Sequence, residues 1–269
     1  MPPRISEFRR LHESGCFVIA NPWDRGSAIY LETLGFKALA TTSAGFAWSE
    51  GRPDNGIDVE QALRHLEEIA SAVAVPVNAD FEGGFAVEAD LVAANVARAV
   101  RTGIAGLSIE DSTGDAENPL FEVGLAVARI KAARAAIDAS GSGVLLTGRT
   151  EGFFVGRPDL RETIERLQAY AAAGADVLYA PGIRSKEEIS AVVQAVAPKP
   201  VNLLVSDDWM NVADAAALGV RRISVGGALA RTAWSGFVEA AKEIAQSGSF
   251  SGLAPPGVAA SLNEIFRAR

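Results

Sequence analysis

Thr102-Gly103-Ile104-Ala105-Gly106-Leu107-Ser108-Ile109-Glu110-Asp111 contains in ten residues the unit from which the whole chain is built. A glycine suited to a left-handed helix end leads into a short apolar run, and the run ends in acids. The same joint returns as Leu34-Gly35-Phe36, Ala173-Gly174-Ala175 and Leu218-Gly219-Val220. Eight apolar runs are spaced along the chain, at 17–20, 38–41, 75–78, 106–109, 144–147, 176–179, 201–204 and 222–225, each followed by a helix-like stretch. Strands alternating with amphipathic helices of about 10–15 residues make parallel βα units. Eight such units in 269 residues predict a (β/α)8 TIM barrel.

Local signals agree. Asp58 with Gln61, Asp159 with Glu162 and Ser185 with Glu188 have the spacing of a helix cap and its reciprocating partner. Leu160, Ile164, Leu167 and Ala171 recur at steps of four, three and four, which makes one buried helical face. A first helix is expected over residues 5–13, ahead of the first strand. No linker or low-complexity tract divides the chain, so residues 1–269 read as a single barrel domain. Residues 249–269, with helical pattern over 259–267, form a C-terminal extension that the barrel does not need.

Bulk composition removes several function classes. A net charge of −8 with no basic stretch argues against binding nucleic acid or an acidic membrane surface, both of which need a basic face. One cysteine, Cys16, allows no intrachain disulfide and suggests a reduced, cytoplasmic setting. Residues 1–11 have no apolar signal core and no run reaches 18 apolar residues, so no membrane segment is expected.

In this fold chemistry sits where strands end. The third run continues Asn78-Ala79-Asp80-Phe81-Glu82-Gly83-Gly84. Side chains alternate along a strand, so Asn78, Asp80 and Glu82 share a face. A central parallel strand is normally apolar on both faces, and this acidic ladder needs a compensating charge. A hard divalent cation such as Mg2+, with Mn2+ as a substitute, supplies one; capping of the following turn is the plainer use. On the neighbouring fourth strand Glu110 shares a face with Ser108, so Asp111 points away, into the helix layer or a loop; a cation between the two acidic strand ends, or a pair of solvated carboxylates at a loop entrance, accounts for them. Arg149, ending the fifth strand, is placed to fork around a carboxylate or phosphate, or to fill the mouth with an ion pair to Glu110 or Glu82.

Small residues after the second strand, Thr41-Thr42-Ser43-Ala44-Gly45-Phe46, let backbone N–H groups approach an anion, although a plain turn looks similar. The following loop, residues 48–56, is long enough to close over the mouth. Ser224-Val225-Gly226-Gly227-Ala228 could hold a phosphate or simply make a tight turn. His12 and His65 fall in helices away from strand ends and are expected at the surface. That leaves no histidine base, ligand or triad. Cys16, at the start of the first strand, is poorly placed as a nucleophile.

Taken together, Thr42-Ser43-Ala44-Gly45, Gly51-Arg52-Pro53-Asp54-Asn55-Gly56, Asn78-Ala79-Asp80-Phe81-Glu82-Gly83-Gly84-Phe85, Ser108-Ile109-Glu110-Asp111 and Gly148-Arg149-Thr150-Glu151-Gly152-Phe153 resemble the isocitrate lyase/phosphoenolpyruvate mutase superfamily in order and spacing, over nearly the whole length. The resemblance implies a Mg2+-dependent enzyme of small 2-oxo or 2-hydroxy carboxylates. It gives Asp80 and Glu110 the metal and Arg149 the substrate carboxylate. It gives Ser43 and the backbone at Gly45 and Phe46 the carboxylate and enolate oxygens, and puts Asp54 near the reacting centre. The superfamily's Asp-x-Asp at strand three reads here as Asn78-x-Asp80, so Asn78 still offers the metal a carbonyl oxygen but no charge, with Glu82 as a further ligand making up the lost charge. The resemblance also implies a homotetramer that exchanges C-terminal helices.

Two departures narrow the chemistry. The loop after strand four, residues 112–121, has none of the Cys, His or Lys that the superfamily's lyases carry there, and Pro181-Gly182 stand where a strand-six glutamate is expected. Isocitrate and methylisocitrate cleavage are therefore disfavoured. The sequence points to decarboxylation or C–C cleavage of an oxaloacetate-like 2-oxo acid through an enolate, with Asp54 and Arg149 as catalytic residues. P–C bond cleavage of a phosphonate, or a catalytically inactive barrel that only binds a 2-oxo acid, stand as alternatives.

Overall fold

The computed structural model describes residues 2–267. Its strands are β1 (Phe17–Ile19), β2 (Leu39–Ala40), β3 (Val77–Asp80), β4 (Gly106–Glu110), β5 (Leu145–Arg149), β6 (Val177–Tyr179), β7 (Val201–Leu204) and β8 (Arg222–Ser224). All pair in parallel in the order β1-β8-β7-β6-β5-β4-β3-β2, and a bridge from Ala20 to Leu39 brings the two edges together. This is the expected (β/α)8 barrel. The helices are α1 (Pro3–Leu11), α2 (Arg25–Thr33), α3 (Ser43–Ser49), α4 (Val59–Ala72), α5 (Ala89–Ala99), α6 (Val123–Ser140), α7 (Leu160–Ala172), α8 (Lys186–Val196), α9 (Val212–Ala217), α10 (Ala228–Ser247) and α11 (Gly257–Arg267). The last two residues of the expected 249–269 extension lie outside the described residues.

The boundaries follow from local chemistry. β3 starts two residues later than the apolar run 75–78, because Pro76 has no N–H for a ladder and offers only its carbonyl, to Leu39. Gly35, Gly103, Gly174 and Gly219 all have positive φ, as the repeated joint requires. Asp58 with Gln61 and Ser185 with Glu188 form reciprocal capping boxes. Asp159 caps α7, but its partner Glu162 turns its carboxylate to Arg166 instead of reaching back. On α7, Leu160, Ile164 and Ala171 pack against the core beside the fully buried Leu167.

Alternation along the strands sorts the core into two zones. Ala79, Leu107, Ile109, Leu146, Leu178, Leu203 and Ile223 are buried in the main apolar cluster. Asn78, Ser108, Thr147, Asn202, Arg222 and Ser224, at the alternating positions, are also buried and polar. The layers inside such barrels are usually filled by branched apolar residues. Here they are stitched by hydrogen bonds. Arg222 donates through Nε to Asn202 Oδ1 (2.8 Å) and through Nη2 to Thr147 Oγ1 (3.2 Å), and Asn202 Nδ2 donates to Ser224 Oγ (2.9 Å). Burial lowers the Arg222 pKa to about 10, which still leaves it charged at neutral pH.

The floor of the barrel is closed by α1. Phe8 is fully buried and lies against Gly106, where a Cβ would come within 2.6 Å of its ring. His12 donates from Nδ1 to the Phe8 carbonyl (2.7 Å), so Nε2 is free to accept from Arg222 Nη1 at 3.4 Å. The expectation that both histidines are surface residues is therefore wrong. His12 and His65 are 8% and 5% exposed, because each lies on the inward stripe of its helix, which helical location alone does not reveal. His65 stacks on Phe46 with ring centres 3.8 Å apart.

These burials carry a pH dependence. Desolvation lowers the pKa of His12 to about 3 and of His65 to about 4 in the folded chain. An unfolded histidine titrates near 6.5, so both folded values are depressed. Their contribution to stability is complete above about pH 6.5 and is lost as pH falls toward 4, by up to about 2 kcal/mol per histidine at pH 5. Wild-type protein should lose more melting temperature between pH 7 and pH 5 than His12→Gln, which retains an acceptor for Arg222. Equal losses in the two proteins would refute this assignment.

Elsewhere the chain presents apolar surface. On α10 the only buried residue is Ala230, while Trp234, Phe237, Val238 and Ile244 are exposed, as are Phe250, Leu253, Val258 and Phe266 beyond it. Among the described residues no helix is long and apolar enough to cross a membrane.

Candidate active site at the barrel mouth

Asp80, Glu110 and Arg149 end three adjacent strands, and register brings them together: Glu110 pairs with Arg149, and Arg149 with Tyr179. Arg149 Nη1 lies 3.3 Å from Asp80 Oδ1 and 3.2 Å from Glu110 Oε2, while Nε donates to Glu151 Oε1. Its guanidinium sits 5.1 Å from the centre of the Tyr179 ring. The ion pair to Glu110 considered from the sequence is present. Asp80 and Glu151, not Glu82, complete the set.

Asp80 is held from the other side by Ser43, whose backbone N–H and hydroxyl both donate to Oδ2 at 3.0 Å. Ser43 thus lies at the mouth with both donors on Asp80. The Gly45 and Phe46 amides, expected to meet a substrate oxygen, are engaged inside the helix: Gly45 N–H donates to Thr42 Oγ1 and Phe46 N–H to the Thr42 carbonyl. Thr42 is the N-cap of α3, and its side chain takes the amide that the glycine seemed to free. Gly45 serves packing instead, since a Cβ there would lie 2.9 Å from Trp23 Cβ and 3.0 Å from Ala230 Cβ. Phe46 contributes its ring to the wall of a small hollow with Ser43, His65, Asp80 and Glu82. The phosphate reading at strand eight fares similarly: the Val225 and Gly226 amides donate to Asn21 Oδ1 at 2.9 and 3.0 Å.

The acid-x-acid spacing at the mouth is Asp80-Phe81-Glu82. Asn78 is buried one layer deeper, paired in register with Gly106, and donates to the Ala79 carbonyl. Asn78 thus shares the lumen face with Asp80 one layer below it, and both line the same hollow. Glu82 follows the strand with φ of +46°, an uncommon conformation for a residue with a side chain. The turn is locked by Arg129 of α6, which is fully buried, donates to the carbonyls of Gly83 and Ala86, and lies 4.0 Å from the Phe121 ring centre. Nothing in the sequence around Arg129 marks it, because its role depends on which turn lies beneath α6.

Charge at the mouth is unbalanced. Burial raises the Glu82 pKa to about 8, with Asp80 and Asp54 adding to the effect. Burial also raises Glu110, against the pull of Arg149, and Glu151 behaves in the same way. Arg149 is lowered by burial, but Glu110, Glu151 and Asp80 together outweigh that and raise it. Asp54 lies on the exposed loop between α3 and α4, where its carboxylate accepts from the Asn55 backbone N–H; partial burial, then Asp80, raise its pKa.

Among the described residues no three carboxylate, imidazole or thiolate groups converge into a ready-made metal cage. The donor chemistry nevertheless fits a hard cation that keeps some of its waters. Asp80, Glu82 and Glu110 are crowded acids, and Glu82 Oε1 and Asn78 Oδ1 are buried oxygens with no partner. Two hollows meet at Asp80, of ≈ 10 and ≈ 40 Å³, and the larger extends down past Asn78 and Ser108 to Arg222. The loop after β4, which lacks the expected lyase residues, is a small hairpin tied by a Ser112–Leu120 bridge and by Thr113 N–H to the Pro119 carbonyl.

A positive φ at a half-buried acid is costly in two ways at once. Glu82→Gly should raise the melting temperature, because glycine removes about 1–3 kcal/mol of local strain and one crowded carboxylate goes with it. A lower melting temperature would show that Glu82 is not strained.

Residues 8–245 match the phosphoenolpyruvate phosphomutase family. A crystal structure from Burkholderia cenocepacia J2315, described as that of a lyase/mutase, shares 45% identity and a TM-score of 0.94, covering 98% of this chain and 96% of that one. An oxaloacetate decarboxylase of Bradyrhizobium diazoefficiens is 31% identical over 192 residues, which is 67% of this chain and 64% of that protein. The structure of an oxaloacetate acetylhydrolase in complex with its product oxalate is 28% identical, with a TM-score of 0.87 over 97% of this chain and 93% of that one.

Proposed function

The chain belongs to the phosphoenolpyruvate phosphomutase family, and on that footing we propose that it is a Mg2+-dependent lyase or hydrolase of a small, oxaloacetate-like 2-oxo acid. The observation that carries this is Arg149 held among Asp80, Glu110 and Glu151 at the mouth of a barrel whose relatives include oxaloacetate decarboxylases and an oxaloacetate acetylhydrolase. Asp80 and Glu110 would hold the metal, with Glu82 beside them. When bound, the ion supplies Lewis-acid stabilisation of negative charge on the keto oxygen.

The other roles belong to the chain itself. Arg149 binds the substrate carboxylate through Nη2 of its guanidinium. Ser43 keeps Asp80 turned toward the mouth through two hydrogen bonds. In decarboxylation the C3–C4 bond breaks, the C4 carboxylate leaves as CO2, the electron pair passes into the C2–C3 unit as an enolate, and a proton returns to C3. Asp54, whose raised pKa suits it to carry a proton, serves that last transfer or orients a water there. This chemistry needs no cysteine acid, and the loop over 112–121 has none.

Oxaloacetate and phosphonopyruvate, each assayed with and without Mg2+, test the reading. Oxaloacetate should be consumed only when Mg2+ is present. Turnover of the phosphonate alone would replace C–C by P–C cleavage. No turnover, with a melting temperature that oxalate raises only in Mg2+, would leave a binding protein.

We also propose that the exposed apolar faces of α10 and α11 are covered by further copies of this chain, as a homo-oligomer and, by the superfamily resemblance, a tetramer. Phe237 and Phe250 are each more than 60% exposed, and a lone chain gains nothing from leaving them so. Light scattering should return a multiple of the 28.1 kDa chain mass, and Phe237→Glu should lower it. A wild-type monomer would remove this proposal.

A further inference from the structure

Arg149 does not hold its own position. Its Nε is taken by Glu151, and that contact decides which edge of the guanidinium faces the mouth. Glu151 is only 3% exposed, so its own placement must be set from behind. The group behind it is Asp111, which follows the end of β4 and turns into the helix layer. Asp111 Oδ1 accepts the Glu151 backbone N–H at 2.8 Å. Asp111 Oδ2 accepts from Thr150 Oγ1 (2.8 Å), Tyr170 OH (2.6 Å) and Arg166 Nη1 (3.3 Å). Thr150 N–H also donates to the Tyr179 carbonyl of the next strand. A buried acid that accepts four hydrogen bonds, three of them on one oxygen, has little freedom to move.

We propose that Glu151 is the positioning residue of Arg149, and that Asp111, anchored by Arg166 and Tyr170 of α7, fixes Glu151 in turn. The consequence for recognition is directional. With Nε engaged by Glu151 and Nη1 shared by Asp80 and Glu110, a substrate carboxylate meets Arg149 at Nη2, so one orientation is favoured. The proposal rests on reading Arg149 as the carboxylate clamp, but its geometric half stands apart from any reaction.

Three variants test it. In Glu151→Ala, the KM for oxaloacetate should rise at least tenfold, with a smaller change in kcat, and oxalate binding measured by calorimetry in Mg2+ should weaken in parallel. Glu151→Gln retains an acceptor for Nε and should recover most of that loss. Tyr170→Phe removes one donor to Asp111 and should raise KM by a lesser factor. If Glu151→Ala and Glu151→Gln lower the melting temperature alike and leave KM unchanged, Glu151 is structural only and the proposal is wrong. A crystal structure of Glu151→Ala decides the geometric half without turnover: Arg149 should swing away from the position between Asp80 and Glu110. Finding it in place would overturn the proposal. Absence of turnover and oxalate binding in the wild type would instead count against the proposed function, and the position of Arg149 in the variant crystal would still decide the role of Glu151.

Discussion

Arg149→Met should lower kcat/KM on a 2-oxo acid by about 10²–10⁴-fold and, without Mg2+, should destabilise the fold. Arg149 is the guanidinium shared by Asp80, Glu110 and Glu151. Removing one partner from a buried, hydrogen-bonded charge set typically costs about 3–5 kcal/mol, because the remaining charges stay desolvated. In a domain of this size that corresponds to a melting temperature lower by roughly 10 °C. Part of the loss is softened because burial already pushes Glu110 and Glu151 toward their neutral forms. Mg2+ should restore more stability to this variant than it adds to the wild type, since the ion would enter a cluster no longer partly neutralised by Arg149. Scanning calorimetry with and without Mg2+ measures both effects. An unchanged melting temperature together with near-normal activity would mean that the mouth cluster is not the site.

The second large effect is expected at Asp80. Asp80→Ala should abolish activity at any Mg2+ concentration and also remove the Mg2+-induced rise in melting temperature. It should cost stability as well, because the Ser43 N–H and hydroxyl lose their acceptor at the start of α3, at about 1–3 kcal/mol. Asp80→Asn separates the two consequences. Its amide oxygen can still accept from Ser43, but its NH2 then faces Arg149 Nη1, so stability should fall between those of the alanine variant and the wild type, while the lost charge leaves activity as low as in the alanine variant. An asparagine variant that keeps a normal Mg2+ response would refute Asp80 as a ligand.

The barrel is legible in the sequence because its signal is repeated. Apolar run, polar tail and helix-ending glycine recur often enough that one misplaced boundary, as at Val75-Pro76, changes nothing in the topology. Asp80, Glu110 and Arg149 are legible for a related reason: strand alternation fixes which residues face the lumen. Alternation also puts Asn78 on the lumen face with Asp80, and its depth, one layer below the mouth, is what the sequence does not give. His12 and His65 are misread because helical location does not say which face is inward. Glu151, Arg129 and Arg222 are hidden for a deeper reason. Each works against an element distant in sequence, and nothing near them in the chain carries that information. The Gly45 and Phe46 amides show the converse, since small residues suggest open donors where the neighbouring Thr42 has already claimed them.

Closure of the floor by α1, with Phe8 beneath Gly106 and His12 against Arg222, makes the lumen a blind well. On the proposed function, reactant and both fragments share one portal, and the carboxylate-bearing fragment held by Arg149 leaves after the fragment cut from the outer end.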